Sequence, residues 1–221
     1  MPKTKIAAFF DLDNTLVHGF ASLYFLKEMY RRRLIRVRDI TRQIYEGVKF
    51  NYIGENTNLM KKVAQEGIPF GNGVDYTWLE EVLNEVYDKE IAQKLNLKAI
   101  DKLREHQEAG HDTYVITASP NILAKIIKQK LNMTDGYGTL EDLVDGKFTG
   151  KLKGNFLHAE QKQTLVRLLA QENGYDLDKC YAYSDSVNDI PMLKSVGNPI
   201  VVRPDFELKR YAKFREWKIL K

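Results

Sequence analysis

The stretch Phe9-Phe10-Asp11-Leu12-Asp13-Asn14-Thr15-Leu16 places two carboxylates at the end of a short apolar strand, Ile6–Phe10. In an extended chain, residues i and i+2 point to the same side, so Asp11 and Asp13 can share one site. Two acids that close repel each other unless a cation or a proton lies between them. The pattern therefore asks for a metal and for acid–base chemistry.

Further apolar runs read as buried strands: Thr113–Ile116, a weaker one near Tyr137–Leu140, Cys180–Tyr183 and Ile200–Val202. Helical stretches lie between them, which predicts a doubly wound α/β fold with a parallel sheet. Such sheets bind ligands outside the carboxyl ends of their strands. Asp11, Thr117 and Asp185 each follow a strand, so all three are expected on that edge.

The region from Phe20 to Ile91 holds no convincing strand. Phe20, Leu23, Leu26 and Tyr30 recur at helical spacing. Gly54, Gly67 and Gly71-Asn72-Gly73 interrupt further helical stretches, among them Thr77–Tyr87. The predicted organisation is an α/β core, residues 1–17 and 92–221, with a helical cap at 18–91. A cap over the strand ends would exclude water and read the substrate. Its aromatics Tyr45, Phe50, Tyr52, Phe70 and Tyr76 are candidates for a pocket or for the cap's own packing. Later in the chain, Asp145-Gly146-Lys147 predicts a hairpin. A helix is expected from about His158, with Leu165, Leu168 and Leu169 on its buried face.

With 221 residues, 43% hydrophobic and 29% charged, the chain has the composition of a soluble globular protein. No run reaches the roughly 18–20 apolar residues of a membrane-spanning helix. The N-terminus lacks a signal-peptide pattern, and one cysteine, Cys180, allows no intrachain disulfide; both predict a cytoplasmic protein. Cys180 lies in an apolar run and reads as an inert core thiol. A net charge of +4 suits a small anionic substrate and gives no case for nucleic acid. The basic segment Arg31-Arg32-Arg33 with Arg36 and Arg38 reads as a solvated helix end.

Four pieces, in order, resemble the haloacid dehalogenase superfamily of phosphotransferases. They are Asp11-Leu12-Asp13-Asn14-Thr15; Val115-Ile116-Thr117-Ala118-Ser119; a lysine at a helix start, placed at Lys162; and Tyr183-Ser184-Asp185-Ser186-Val187-Asn188-Asp189. The branch most similar includes phosphoserine phosphatases, whose helical cap falls between the first two motifs. The resemblance implies a phosphomonoester hydrolase acting on a small phosphorylated metabolite. Asp11 would be the nucleophile that becomes phosphorylated, and Asp13 the acid and base. Mg²⁺ would be held by the Asp11 carboxylate, the Asp13 carbonyl and Asp185, with Asp189 near it orienting waters or Lys162. Thr117 and Asn188 would bind the phosphoryl group, and Lys162 would stabilise its charge. Ser119-Pro120 is read as a helix N-cap and first residue, bringing free N–H groups near the anion.

This chain departs from the pattern at two points. Relatives carry a glycine beside the lysine, where this chain has His158-Ala159-Glu160-Gln161-Lys162; Lys151 and Lys153 are the rival lysines. Phosphoserine phosphatases carry a glutamate that holds the substrate ammonium, and Phe20 occupies that position here. Phosphoserine therefore stands as one alternative among small phosphomonoesters. A phospho-accepting receiver domain and an idle binding protein are further alternatives. Receivers, however, phosphorylate an aspartate on a later strand and lack a long helical insert. His18, where the chain leaves for the insert, is a candidate substrate contact. His106, His111 and His158 read as surface or capping residues, and Trp78 and Trp217 as packing residues.

Overall fold

A computed structural model describes residues 4–33 and 72–220. The stretch before Asp11 forms β1 (Ala7–Phe10), all four residues fully buried. Ala8 and Phe10 enter the apolar cluster on one face of the sheet, and Ala7 and Phe9 enter the cluster on the other. A strand covered on both faces must be apolar throughout, which is why it reads as an unbroken hydrophobic run.

The order is β1, α1 (Ala21–Arg31), α2 (Tyr76–Val86), α3 (Leu97–Glu108), β2 (Asp112–Pro120), α4 (Asn121–Lys130), β3 (Asp135–Thr139), β4 (Glu141–Val144), β5 (Lys147–Leu152), α5 (Glu160–Asn173), β6 (Tyr181–Ser184), α6 (Ile190–Leu193), β7 (Asn198–Val202), α7 (Phe206–Phe214) and β8 (Lys218–Leu220). A π-helical turn, Tyr87–Ile91, and a short 3-10 turn, Ala92–Lys94, follow α2. Six strands pair in parallel in the order β3-β2-β1-β6-β7-β8. The winding reverses between β1 and β6, so the crevice at a topological switch point opens beside Asp11 and Asp185.

The cluster on the Phe10 side draws its buried residues from α1 to α4 as well as the sheet, and the cluster on the Phe9 side from α5, α6 and α7. The predicted doubly wound sheet is thus present, extended by β8, which is too short to leave a pattern. β4 and β5 pair as an antiparallel hairpin. Asp145 (φ 51°) and Gly146 (φ 74°) form its turn, both left-handed as a type I′ turn requires.

Two predicted helix faces are corrected. In α1 the buried residues are Ala21, Phe25, Leu26 and Met29 with Glu28, while Leu23 and Tyr30 are exposed. In α5 Val166, Leu169 and Ala170 are buried and Leu168 is exposed. Both helices carry overlapping apolar stripes, and the position of the sheet selects one. Arg31 and Arg32 pair with Glu28, and Arg32 also reaches Glu85 at 2.8 Å. Arg36, Arg38, Gly54, Gly67, Gly71 and the aromatics from Tyr45 to Phe70 lie outside the described residues.

The chain leaves the sheet and returns to it at adjacent points. His18 N–H donates to the Lys94 carbonyl at 2.7 Å, Asn96 N–H to the Leu16 carbonyl at 2.8 Å, and the Asn96 side chain to the Thr15 carbonyl at 3.0 Å. These bonds fix the loop after β1, where the first motif sits.

Candidate active site

Asp11 is tied to the sheet edge by its N–H, which donates to the Tyr183 carbonyl at 2.9 Å. Beyond it the chain curls so that the N–H groups of Thr15, Leu16 and Val17 converge on the Leu12 carbonyl. Asn14 adopts a left-handed φ of 55°, and its side chain accepts from Gly19 N–H. This curl delivers Asp13 to the start of α1, where its Oδ1 accepts from Ala21 N–H at 2.6 Å. A first-turn N–H has no partner within its own helix, so the carboxylate satisfies it.

The other oxygen of Asp13 accepts from Ser119 Oγ at 2.9 Å. Ser119 is therefore not the N-cap predicted for it. β2 continues to Pro120, which is itself the residue flanking α4, and the Ser119 hydroxyl orients Asp13 instead. Thr117 is buried, and its Oγ1 accepts from Ser119 N–H at 3.0 Å, leaving its own proton available.

Of the three lysines considered, Lys162 is the one brought to Asp11. It lies in the first turn of α5, 3% exposed, with Nζ 2.6 Å from Asp11 Oδ1 and 2.8 Å from Asp189 Oδ2. Lys151 and Lys153 are exposed at the hairpin. Ser184 Oγ also donates to Asp189 Oδ2, at 2.7 Å, a contact not foreseen from the sequence although Ser184 sits within the fourth motif. Thr15 Oγ1 lies 3.5 Å from Asp185 Oδ1. Asn188 is half-buried beside them, and Phe20 is exposed at the start of α1.

Four carboxyl groups thus face one buried ammonium. Burial pushes Asp11 up to about 7; Lys162 opposes the rise, and Asp189 and Asp13 add to it. Burial, then Asp11 and Asp189, push Asp185 up to about 8. Asp13 is also raised, mainly by burial. Burial alone would lower Lys162, but Asp11 and Asp189 reverse this and hold it charged. The edge is short of positive charge, and its free donors are hard oxygens.

Ala159, the residue that flanks the start of α5, has a glycine-like backbone at φ 46°, ψ −112°. Such a conformation costs a residue with a Cβ about 1–3 kcal/mol. Ala159→Gly is therefore expected to stabilise the fold by about 0.5–2 kcal/mol, the larger unfolded-state entropy of glycine taking back part of the relief. Urea midpoints would show it, with kcat within about twofold because Lys162 keeps its support. A destabilised variant would mean the alanine is not strained.

His106 and His158 are buried rather than at the surface. His106 joins Tyr183 Oη at 2.8 Å and His111 Nδ1 at 2.9 Å beneath the sheet edge, and burial lowers its pKa to about 4. His18 is exposed and faces Arg203. Cys180 is fully buried, its thiol pushed up by burial. Trp78 and Trp217 pack against the two apolar clusters.

Residues 8–194 match the haloacid dehalogenase-like hydrolase family model. The chain belongs to the haloacid dehalogenase-like hydrolases. This hydrolase sits with the phosphatases of its family. It is 38% identical to phosphoserine phosphatase SerB1 of Mycobacterium tuberculosis, over 96% of this chain and 70% of that protein. A structure of a protein of unknown function from Bordetella pertussis superposes with a TM-score of 0.84, 24% identity and 99% coverage of both chains. A substrate-bound phosphoserine phosphatase complex superposes with a TM-score of 0.67 at 24% identity, over 99% of this chain and 94% of that one. At that identity the two structures speak to the fold.

Proposed function

We propose that the protein hydrolyses a small-molecule phosphomonoester through a phosphorylated Asp11, with Mg²⁺ as cofactor. The observation that carries this reading is the arrangement of Asp11. Its Oδ1 is held by buried Lys162, and no hydrogen bond engages Oδ2 among the described residues. That free oxygen attacks phosphorus while the bond from phosphorus to the leaving oxygen breaks. Asp13, kept protonated more readily by its burial, gives its proton to the departing alkoxide. In the second step Asp13 takes a proton from water as water attacks the phosphorus, releasing phosphate and restoring Asp11. Thr117 Oγ1–H and Asn188 hold phosphoryl oxygens, and Lys162 offsets their charge.

The carboxyl groups fit a divalent cation: one ammonium, Lys162, serves Asp11 and Asp189, while Asp185 has no ion pair among the described residues and is raised by burial and by its acidic neighbours. Among the described residues no three His, Cys, Asp or Glu side chains form a metal cage by themselves. Two carboxylates, the Asp13 carbonyl and waters make the open oxygen set that Mg²⁺ favours. When bound there, Mg²⁺ would offset carboxylate repulsion and hold a phosphoryl oxygen against the nucleophile. Asp189, with Oδ2 engaged by Lys162 and Ser184, acts through that lysine.

We read residues 18–91 as the cap on a core of 1–17 and 92–221, supported by the stitched departure and return of the chain at His18 and Lys94. No helix among the described residues is long and apolar enough to cross a membrane. Phosphoserine itself is a second reading, favoured by the 38% identical relative and opposed by Phe20, which offers no charge to an ammonium.

Hydrolysis of p-nitrophenyl phosphate with Mg²⁺ and after chelation tests the reading; no turnover in either condition would sink it. Asp13→Asn is expected to slow glycerol phosphate by about 10²-fold or more and p-nitrophenyl phosphate far less, because the activated phenol leaves without a proton. Equal losses would remove Asp13 from the acid role.

A further inference from the structure

A pair of donors bridges the loops that follow β1 and β7. Arg203 follows β7 and His18 follows β1, and these strands flank β6, at whose end Asp185 stands. The Arg203 guanidinium donates from Nη1 to His18 Nδ1, so the pair spans the end of β6. Burial, then Arg203 and Lys94, lower the pKa of His18. A neutral imidazole that accepts through Nδ1 carries its proton on Nε2 and presents a donor there. Both side chains are exposed, and among the described residues neither Arg203 nor Lys94 forms an ion pair with a carboxylate.

The backbone beneath Arg203 is independently unusual. Its φ is 45°, a left-handed value for a residue with a long side chain, and Pro204 follows. Asp205 holds it there: its N–H donates to the Asp185 carbonyl at 3.0 Å, and its carboxylate accepts from Val187 N–H at 2.9 Å and Leu208 N–H at 2.7 Å. A left-handed residue held beside the Asp185 loop, its guanidinium joined to His18 and in no ion pair among the described residues, is a reason to look for a role at the site.

We infer that Arg203, with His18 beside it, binds a second anionic group, carboxylate or phosphate, on the leaving group of the substrate. A guanidinium matches either group with two parallel hydrogen bonds. The inference rests on the phosphatase reading and adds the charge of the leaving group to it.

Three probes decide it: phenyl phosphate, 4-carboxyphenyl phosphate and 1,4-phenylene bisphosphate. The wild-type protein should prefer at least one doubly anionic probe by about tenfold or more in kcat/KM, the effect of one charge-assisted contact. Which of the two is preferred identifies carboxylate or phosphate. Arg203→Gly should abolish that preference, and Arg203→Lys should keep part of it. Because glycine suits a left-handed backbone, Arg203→Gly should melt no lower than wild type, so a folding defect would not explain the loss. Equal losses on all three probes, or a wild-type protein with no preference, would overturn the inference while leaving the phosphatase reading standing. No turnover of any probe would overturn both.

Discussion

Asp11→Asn is expected to lower phosphomonoester turnover by on the order of 10⁴-fold or more, the scale on which loss of a covalent nucleophile is felt. The substitution is nearly isosteric. Asparagine keeps an oxygen for Lys162 Nζ, which stands 2.6 Å from Asp11 Oδ1, and keeps the N–H bond to Tyr183. What it lacks is a carboxylate oxygen able to attack phosphorus. Folding should survive, since the change removes one of four crowded acids and leaves Lys162 paired with Asp189 at 2.8 Å. Rapid acid quench with radiolabelled substrate should trap phosphoenzyme in the wild type and none in the variant. A variant retaining turnover within about tenfold of wild type would exclude Asp11 as the nucleophile.

Lys162→Met is expected to damage both stability and rate. The lysine is the ammonium that offsets Asp11 and Asp189 in a buried site, and methionine fills its volume without its charge. Breaking a buried pair from one side leaves an uncompensated charge and costs about 3–5 kcal/mol. Loss of charge stabilisation on the transferring phosphoryl group should lower kcat by about 10²–10³-fold.

The pH dependence gives the sign of this effect. Asp11 stands at about 7 in the folded chain against its ordinary 3.8. The folded state therefore binds more protons than the unfolded state between those values, and this group's contribution to stability falls as pH rises across the window. Removing Lys162 takes away the charge that opposes the rise, so the decline should steepen and extend to higher pH. Urea denaturation at pH 5 and pH 8, without divalent ions, should show the Lys162→Met deficit larger at pH 8. A deficit independent of pH would mean the lysine acts through packing alone.

How much of this was readable beforehand follows from the range of each interaction. The strands at Phe9-Phe10, Val115-Ile116 and Ala182-Tyr183 announced themselves because a sheet covered on both faces demands unbroken apolar runs. The alternation of such runs with helices indicated a doubly wound parallel sheet, and their place just after strands put Asp11, Thr117 and Asp185 on one edge; the strand order came only with the fold. Ser119 was misread because Ser-Pro before a helix is a common capping pattern, whereas here the strand runs on to Pro120. Overlapping apolar stripes on α1 and α5 left two possible buried faces each. His106 gave no signal of its burial, since its partner Tyr183 lies 77 residues away.

The sequence alone indicated a doubly wound parallel sheet and placed the acids at its strand ends, because periodicity and strand-end spacing are local properties of the chain. Only the folded structure chose Lys162 over Lys151 and Lys153, turned Ser119 toward Asp13 and set Arg203 against His18. Those choices join residues 151, 106 and 185 positions apart. Pairings at that range depend on where whole strands and helices come to rest, which no local pattern encodes.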